Sequence, residues 1–370
     1  MNTYQPTFED TIWLRSKRFD LSLILGGALL TLALPLLAGR HSNILPALFW
    51  IWILVFEGPH FFSTWTRTYF DPKYLGAYSR LLTGSLVFFI FPALSYLIAS
   101  NAGLNFYGFF IFCWSLYHNA RQHYGFLGLY ARKAALSEKV RPNIKKWIYL
   151  FVVPPQIYFL FSFKLPSAYP ETSNLLGTLQ HFVQISAPMV SVLSLIAYAF
   201  VLIRGKIKYP ITITSYTIGC LIFYSAMFYF VASREPFFAG AQNAAQRFML
   251  IAVMNSLFHN IQYLAIVWLY GKARASANSM TGIARAIHSN SWFYLGSCLL
   301  GGAVFGTIVW NLGDWTNVHG LWTQSESHLW AQILFFGIIG HHFYLDQKIW
   351  KPSIQKDVTS ALLDKGAKGA

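Results

Sequence analysis

The feature that most constrains this chain is a series of apolar blocks that recurs from Leu21 almost to the C-terminus. Each block has about 18 to 22 residues, which is long enough for a helix to cross a hydrocarbon layer of about 30 Å. Only 11% of the 370 residues are charged, against roughly 25% in a typical soluble domain. Because a bilayer offers no water to satisfy backbone polar groups, these blocks predict membrane-spanning helices. The predicted fold class is an all-α, polytopic transmembrane bundle.

The hydropathy pattern predicts ten spans. They lie at about 21–38, 44–62, 81–100, 103–122, 147–163, 178–203, 211–232, 247–270, 291–311 and 328–346. Every second loop between them is rich in Lys and Arg: the fourth loop alone holds six, whereas the third holds none. Cytoplasmic loops carry such an excess, so we expect both termini to be cytoplasmic. The net charge of +15 is thereby accounted for without a nucleic-acid partner.

The predicted organisation is a single membrane domain with short flanks. Residues 1–20 are interpreted as a cytoplasmic N-terminal segment, 21–346 as the helical domain, and 347–370 as a basic cytoplasmic tail that is disordered from Ser353. The first apolar block is interpreted as a retained first helix rather than as part of a cleaved signal peptide. Cys113, Cys220 and Cys298 lie inside apolar blocks, which predicts buried thiols rather than disulfides. The expected location is a bacterial-type inner or plasma membrane.

Six of the eleven histidines fall at a similar depth, near the predicted cytoplasmic ends of four spans. These six are His60, His118, His123, His259, His341 and His342. The others, His41, His181, His288, His319 and His328, lie in or near loops, where we expect them to be solvated. Ionisable groups inside a membrane are costly and are usually functional. The coincidence of depth therefore predicts a site facing the cytoplasm.

Helical spacing places further polar groups beside these histidines. Glu57 is three residues before His60, and Asp346 is four after His342, so each pair shares a helix face. His118 and His123 diverge by about 140° on an ideal helix, so they would have to flank one centre or bind different metals. Imidazole with carboxylate suits iron, zinc or manganese. The six histidines are thus candidate metal ligands, Glu57 and Asp346 candidate catalytic carboxylates, and the nearby amides candidates for orienting the ligands. These amides are Asn119, Gln122, Asn255 and Gln262.

Four other charged residues have less specific interpretations. Arg67, Arg80 and Arg121 are expected to contact lipid phosphates or loops. Asp71 precedes Pro72, which is typical of a turn or a helix cap. Aromatic residues are dense around the histidine clusters, as expected either for an interfacial belt or for an apolar substrate pocket.

The clusters resemble those of the integral-membrane histidine-motif oxygenases, which include fatty-acid hydroxylases, desaturases and alkane hydroxylases. The stretch "HNARQH" (118–123) fits the HxxxxH pattern of these enzymes. The stretch "GHHFYLD" (340–346) resembles part of their HxxHH pattern, but a complete HxxHH does not occur in the sequence. The resemblance implies one or two non-haem iron ions, dioxygen and an apolar or lipid substrate. A separate electron-donor protein would be required, because no GxGxxG, Cys₄ or haem-attachment motif occurs.

The leading interpretation is a membrane non-haem iron oxidoreductase that catalyses hydroxylation, desaturation or oxidative cleavage. One alternative is a zinc-dependent hydrolase or transferase with Glu57 or Asp346 as general base. Another is a proton-coupled transporter with a histidine relay, whose best support is the polar segment 233–247. Haem ligation is disfavoured, since no helix carries paired histidines about 14 residues apart.

Overall fold

The structure, a computed structural model, describes residues 12–162, 174–204, 209–232, 244–312, 328–351, 355 and 357–363. Within these ranges every regular element is a helix. In chain order the helices are α1 Lys17–Ala38, α2 Leu45–Arg67, α3 Pro72–Ala77, α4 Ser79–Lys133, α5 Arg141–Ser162, α6 Asn174–Arg204, α7 Ile211–Val231, α8 Ala244–Ser276, α9 Gly282–Ser289, α10 Ser291–Trp310, α11 Leu329–Ile349 and α12 Asp357–Leu363. The predicted all-helical class is confirmed.

Seven of these helices contain stretches long and apolar enough to cross a membrane, namely α1, α2, α4, α6, α7, α8 and α10. The chain is therefore a candidate multi-pass membrane protein. Two predicted spans, 81–100 and 103–122, both fall within α4, which is interrupted at Ala99 and Ser100 by non-helical backbone. The predicted spans 147–163 and 328–346 correspond to α5 and α11, which lie outside the group of seven.

The chain packs as two compact units. Unit I comprises Met1–Leu45 with Asn119–Phe258, and unit II comprises Pro46–His118 with His259–Ala370. In unit I, the side chains of Phe151 and Tyr198 form a buried cluster with Leu221. The N-terminal segment joins this unit through Asp20, which is fully buried. Its carboxylate accepts hydrogen bonds from the Leu14 amide (2.7 Å) and the Tyr130 hydroxyl (2.8 Å).

Small residues bring the helices of unit II close together. Gly58 of α2 faces Gly302 of α10, and a β-carbon on Gly58 would lie 2.7 Å from the Gly302 Cα. A β-carbon on Gly302 would overlap the carbonyl oxygen of Leu54. Such small residues let helix backbones approach where no hydrophobic effect between helices drives their association. This contact fixes α2, which carries His60.

The C-terminal tail departs from the prediction. Residues 357–363, expected to be disordered, form α12, and Gln355 and Val358 are buried. Their docking site in unit II includes Arg67, whose Nη2 donates to the Gln355 side chain (3.0 Å) and to the carbonyl of Ile349 (3.2 Å). Of the two predicted contacts of Arg67, a lipid phosphate is excluded because the side chain is fully buried. The loop contact is confirmed, because Gln355 lies between α11 and α12.

Aromatic rings and an ion-pair network also contribute to this region. The Arg67 guanidinium lies 4.1 Å from the ring of Tyr270 and 3.8 Å from that of Trp350. Arg274 pairs with Asp71 at 3.0 Å and with Asp357 at 3.3 Å. Asp71 also accepts from the Lys73 amide at the start of α3 (3.3 Å), which confirms its predicted role as a helix cap.

Candidate metal centre

Four of the six predicted histidine ligands converge on one point in unit II. They are His60 on α2, His118 on α4, His259 on α8 and His342 on α11. Each of these residues is at most 2% exposed. Their four ligand nitrogens all lie within 4.8 Å of one another, so this group could hold a metal ion. No two of the four are on the same helix, and only the tertiary fold brings them together.

The nitrogen–nitrogen distances are close to those between ligands of a single ion. His342 Nε2 lies 2.7 Å from His60 Nε2, which is 3.2 Å from His259 Nε2, which is in turn 3.2 Å from His118 Nε2. Metal–nitrogen bonds of about 2.0–2.1 Å would place neighbouring ligand nitrogens about 2.9 Å apart at right angles and about 3.3 Å apart in a tetrahedron. The two separations of 3.2 Å lie between these values, and the separation of 2.7 Å is slightly shorter than both.

Hydrogen bonds alone do not satisfy the three contacts between the Nε2 atoms of the four histidines. A neutral imidazole carries one proton, so an Nε2 atom either donates or accepts. Along the order His342, His60, His259, His118, donors and acceptors must alternate. Two Nε2–H groups then serve three contacts, and either His60 or His259 must donate one proton to two partners. A cation that takes the lone pairs of all four Nε2 atoms removes this conflict, so the donor set fits a metal.

Thr64 and Tyr263 support one of the ligands from behind. Thr64 Oγ1 lies 2.9 Å from His342 Nδ1 and 2.7 Å from the Tyr263 hydroxyl. When His342 Nε2 faces a cation, its Nδ1 carries the proton and donates to Thr64. Such an outer hydrogen bond fixes the tautomer and orientation of a ligating imidazole. Thr64 was not predicted, although it lies four residues after His60 and so shares its helix face.

Asp346 is the carboxylate closest to the group. Its Oδ2 lies 3.7 Å from His118 Nε2, and its Oδ1 accepts a hydrogen bond from Trp350 Nε1 at 3.0 Å. The spacing of four residues from His342 placed it on the correct face of α11. Asp346 is thus positioned beside the group, either to add an oxygen ligand or to exchange a proton at the site.

Glu57, the other predicted carboxylate, has other partners. Its Oε2 accepts from Asn260 Nδ2 at 2.6 Å and from Trp52 Nε1 at 3.1 Å. Glu57 is not one of the ligands in the converging group. The bond from Asn260 joins α2 to α8 within unit II, whereas the bond from Trp52 lies within α2. The observed role of Glu57 is therefore to hold two ligand-bearing helices together.

Two predicted ligands, His123 and His341, lie outside the converging group. His123 belongs to unit I, where Nδ1 lies 2.7 Å from the Tyr216 hydroxyl and Nε2 lies 2.9 Å from the Tyr224 hydroxyl. His341 Nε2 lies 2.9 Å from the Tyr69 hydroxyl. These rings have hydroxyl partners, which is the usual arrangement of buried polar groups.

The contacts of the predicted orienting amides leave their role open to test. Asn119 Nδ2 donates to the backbone carbonyl of Asn255 at 3.4 Å, and both belong to unit I. Gln262 is fully buried and Gln122 is half-buried. For these four residues, an orienting role towards the ligands stays a prediction.

Among the remaining histidines, one expectation is wrong. His41, His181 and His328 are exposed as expected, and His319 lies outside the described residues. His288, expected to be solvated, is fully buried, and its Nε2 lies 3.1 Å from Thr66 Oγ1. Burial, together with the charges of Arg67 and Arg274, lowers the pKa of His288 to about 3, so this imidazole is neutral.

No family model, curated protein or solved structure matches this chain. The geometry of the four histidines is therefore the main guide to its function.

Proposed function

We propose that this protein is an integral-membrane non-haem iron oxidoreductase acting on a lipid or other apolar substrate. The observation that carries the proposal is the convergence of four buried Nε2 atoms, one from each of α2, α4, α8 and α11, in a chain long and apolar enough to span a membrane several times. Buried histidines gathered at one point are expensive in an apolar environment unless they serve a function.

A single ion fits the donor set better than two. Two-metal sites hold their ions about 3.5–4 Å apart and need ligands enough for both. Here His123 and His341 have other partners, which leaves four imidazoles and Asp346. Neutral imidazole suits iron, and a carboxylate would add a hard oxygen donor to the set. The proposed centre is accordingly a mononuclear iron with four histidine ligands.

The chain supplies the surroundings that such chemistry requires. Iron held here would supply the activation of dioxygen for hydroxylation, desaturation or oxidative cleavage. The four histidines are at most 2% exposed, so bulk water is kept from the site, and side reactions are reduced. Thr64 holds His342 in one orientation, and Asp346 can take or give a proton beside His118.

The proposed topology has ten spans, with both termini in the cytoplasm and the histidines near the cytoplasmic face. The alternating Lys and Arg content of the loops supports it, as does the resemblance to the histidine-motif oxygenases. Electrons would come from a separate protein on the cytoplasmic side. The membrane would be a bacterial-type inner or plasma membrane.

The metal test comes first. Protein purified in detergent is assayed for iron and zinc per chain by elemental mass spectrometry, beside His60→Ala, His259→Ala and the exposed control His328→Ala. We expect about one iron per chain in wild type and in His328→Ala, and little in the other two variants. Oxygen consumption with apolar substrates and a chemical reductant is then measured. Absence of metal after reconstitution, or equal loss from all three variants, would refute the iron centre and favour a proton relay.

Zinc is the second candidate, because two of the three nitrogen–nitrogen separations, at 3.2 Å, are close to the tetrahedral value of about 3.3 Å. A zinc protein would be a hydrolase or transferase with Asp346 as general base. Stoichiometric zinc and activity without dioxygen would establish this alternative and exclude the oxidoreductase.

A further inference from the structure

Trp350 connects the four-histidine group of unit II to the surface of that unit. It lies directly after α11 and is half-buried, and the next residue, Lys351, is exposed. Asp346 and Trp350 are four residues apart, so their side chains meet at the end of the helix. Trp350 Nε1 donates to Asp346 Oδ1 at 3.0 Å, and Asp346 Oδ2 lies 3.7 Å from His118 Nε2. These side chains form a continuous path from the surface to a proposed metal ligand.

The ring of Tyr263 provides a second connection between Trp350 and the histidines. The ring centroids of Tyr263 and Trp350 are 6.0 Å apart, and those of Tyr263 and His60 are 4.3 Å apart. Tyr263 is 1% exposed and belongs to a buried cluster against which Trp350 packs. Its hydroxyl lies 2.7 Å from Thr64 Oγ1, which is 2.9 Å from His342 Nδ1. Both connections therefore begin at the same indole.

Arg67 determines how this indole can serve as part of a path for electrons. Its guanidinium is fully buried and lies 3.8 Å from the centroid of the Trp350 ring. A cation at that distance opposes removal of an electron from the ring, because two positive charges would then be close together. The indole therefore stays uncharged while an electron tunnels through it. Tunnelling weakens less steeply through bonded and hydrogen-bonded atoms than through empty space, so a continuous path of side chains favours it.

We propose that Trp350 is the residue at which electrons from a one-electron donor protein enter the iron centre. This inference rests on the proposed function, which requires such a donor. The donor, a flavin or iron–sulfur protein, loses one electron, and the ferric ion gains it and becomes ferrous. No bond of Trp350, Asp346 or Tyr263 is formed or broken, so the path is unchanged after each transfer. In the proposed topology this end of α11 faces the cytoplasm, from which a soluble donor can approach.

The test follows reduction of the iron in the full-length protein, in nanodiscs and in a Cys113→Ser background. A ruthenium–bipyridine maleimide is attached at Lys351→Cys, and a flash of light in the presence of ascorbate, which supplies the electron, starts the transfer. Cys220 and Cys298 are buried, so the introduced cysteine is the main site of labelling. Rapid-freeze electron paramagnetic resonance records the loss of the ferric signal with time.

Three variants of this labelled parent protein are compared with it. Trp350→Phe removes the hydrogen bond to Asp346 but keeps a ring against Tyr263, so reduction should be about tenfold slower. Trp350→Leu removes both connections and should be slower still. Trp292→Phe is a control on α10, where Trp292 is 78% exposed, and it should match the parent. Iron content and the ferric signal before the flash should be the same in all four proteins, since Trp350 lies outside the four ligands.

The possible failures of the route and of the iron centre are distinguishable. Parent rates in both Trp350 variants, with iron retained, would overturn the route and leave the proposed function standing. Loss of iron from both variants would give Trp350 a structural role instead. A fall in the reduction potential of the iron that accounts for the slower rate would likewise overturn the route, because the driving force and not the path would have changed. Zinc or no metal in the parent protein would refute the proposed function and the route together.

Discussion

At the scale of single residues, His118 and His123 lie five positions apart on α4 and have different partners. His118 Nε2 faces His259 Nε2, whereas both ring nitrogens of His123 contact tyrosine hydroxyls. We expect His118→Gln to lower metal affinity by more than about 100-fold, since loss of an outer partner alone typically costs 10–100-fold. His123→Gln should retain the metal and lose about 1–3 kcal/mol of stability through unsatisfied hydroxyls. Metal content and thermal unfolding of the two variants separate these outcomes; metal loss in both would make His123 a ligand.

Thr64 provides a finer test at the same scale. Thr64→Val keeps the shape of the side chain but removes the acceptor for His342 Nδ1. We expect metal affinity to fall by about 10–100-fold. Stability should fall by about 1–3 kcal/mol, because His342 Nδ1 loses a buried hydrogen-bond partner. Thr64→Ser, which retains the hydroxyl, should behave nearly as wild type. Competition with a chelator measures the affinities, and the same loss in both variants would show that packing, not the hydrogen bond, is what matters.

At the scale of elements, the contact between α2 and α10 determines where His60 is held. A β-carbon on Gly302 would overlap backbone of α2, whereas one on Gly296 of the same helix would meet no atom within 4 Å. Gly302→Ala should therefore destabilise the protein by about 1–3 kcal/mol and weaken metal binding. Gly296→Ala should be neutral or stabilising by up to about 1 kcal/mol, as expected for a helix interior. Unfolding in detergent provides the measurement, and equal effects would contradict a close helix contact.

At the scale of the whole molecule, the proposed ten-span topology puts Lys139 and His328 on opposite sides of the membrane. Both are exposed, so each can carry an introduced cysteine. In a Cys113→Ser background, we expect a membrane-impermeant maleimide to label His328→Cys in intact cells and Lys139→Cys only after the membrane is opened. Cys220 and Cys298 are buried and should give little background. Labelling of both positions from one side would rule out this topology.

The helical class and the set of candidate ligands could be deduced from the sequence alone. The run of apolar blocks determined the helical class, because a backbone surrounded by lipid must bond to itself. Spacing of three or four residues correctly placed Asp346 with His342 on one face of α11, since neighbours in a helix are fixed by its pitch. Depth in the apolar blocks also placed His60, His118, His259 and His342 in one set of candidates. These conclusions depend on hydropathy and on spacing along a helix, and both can be read directly from the sequence.

Selection among the candidates required the tertiary structure. Helical periodicity states which residues share a face but not which faces meet, and that is decided by packing such as the contact of Gly58 with Gly302. In the packed structure, the ring nitrogens of His123 contact two tyrosine hydroxyls, and Glu57 accepts a hydrogen bond from Asn260. Arg67 is buried under the C-terminal tail. The sequence by itself therefore determined a membrane-type helical chain rich in histidines at one depth. The tertiary structure decided which four of them form a candidate metal centre, because convergence depends on distances between helices that no spacing along the chain encodes.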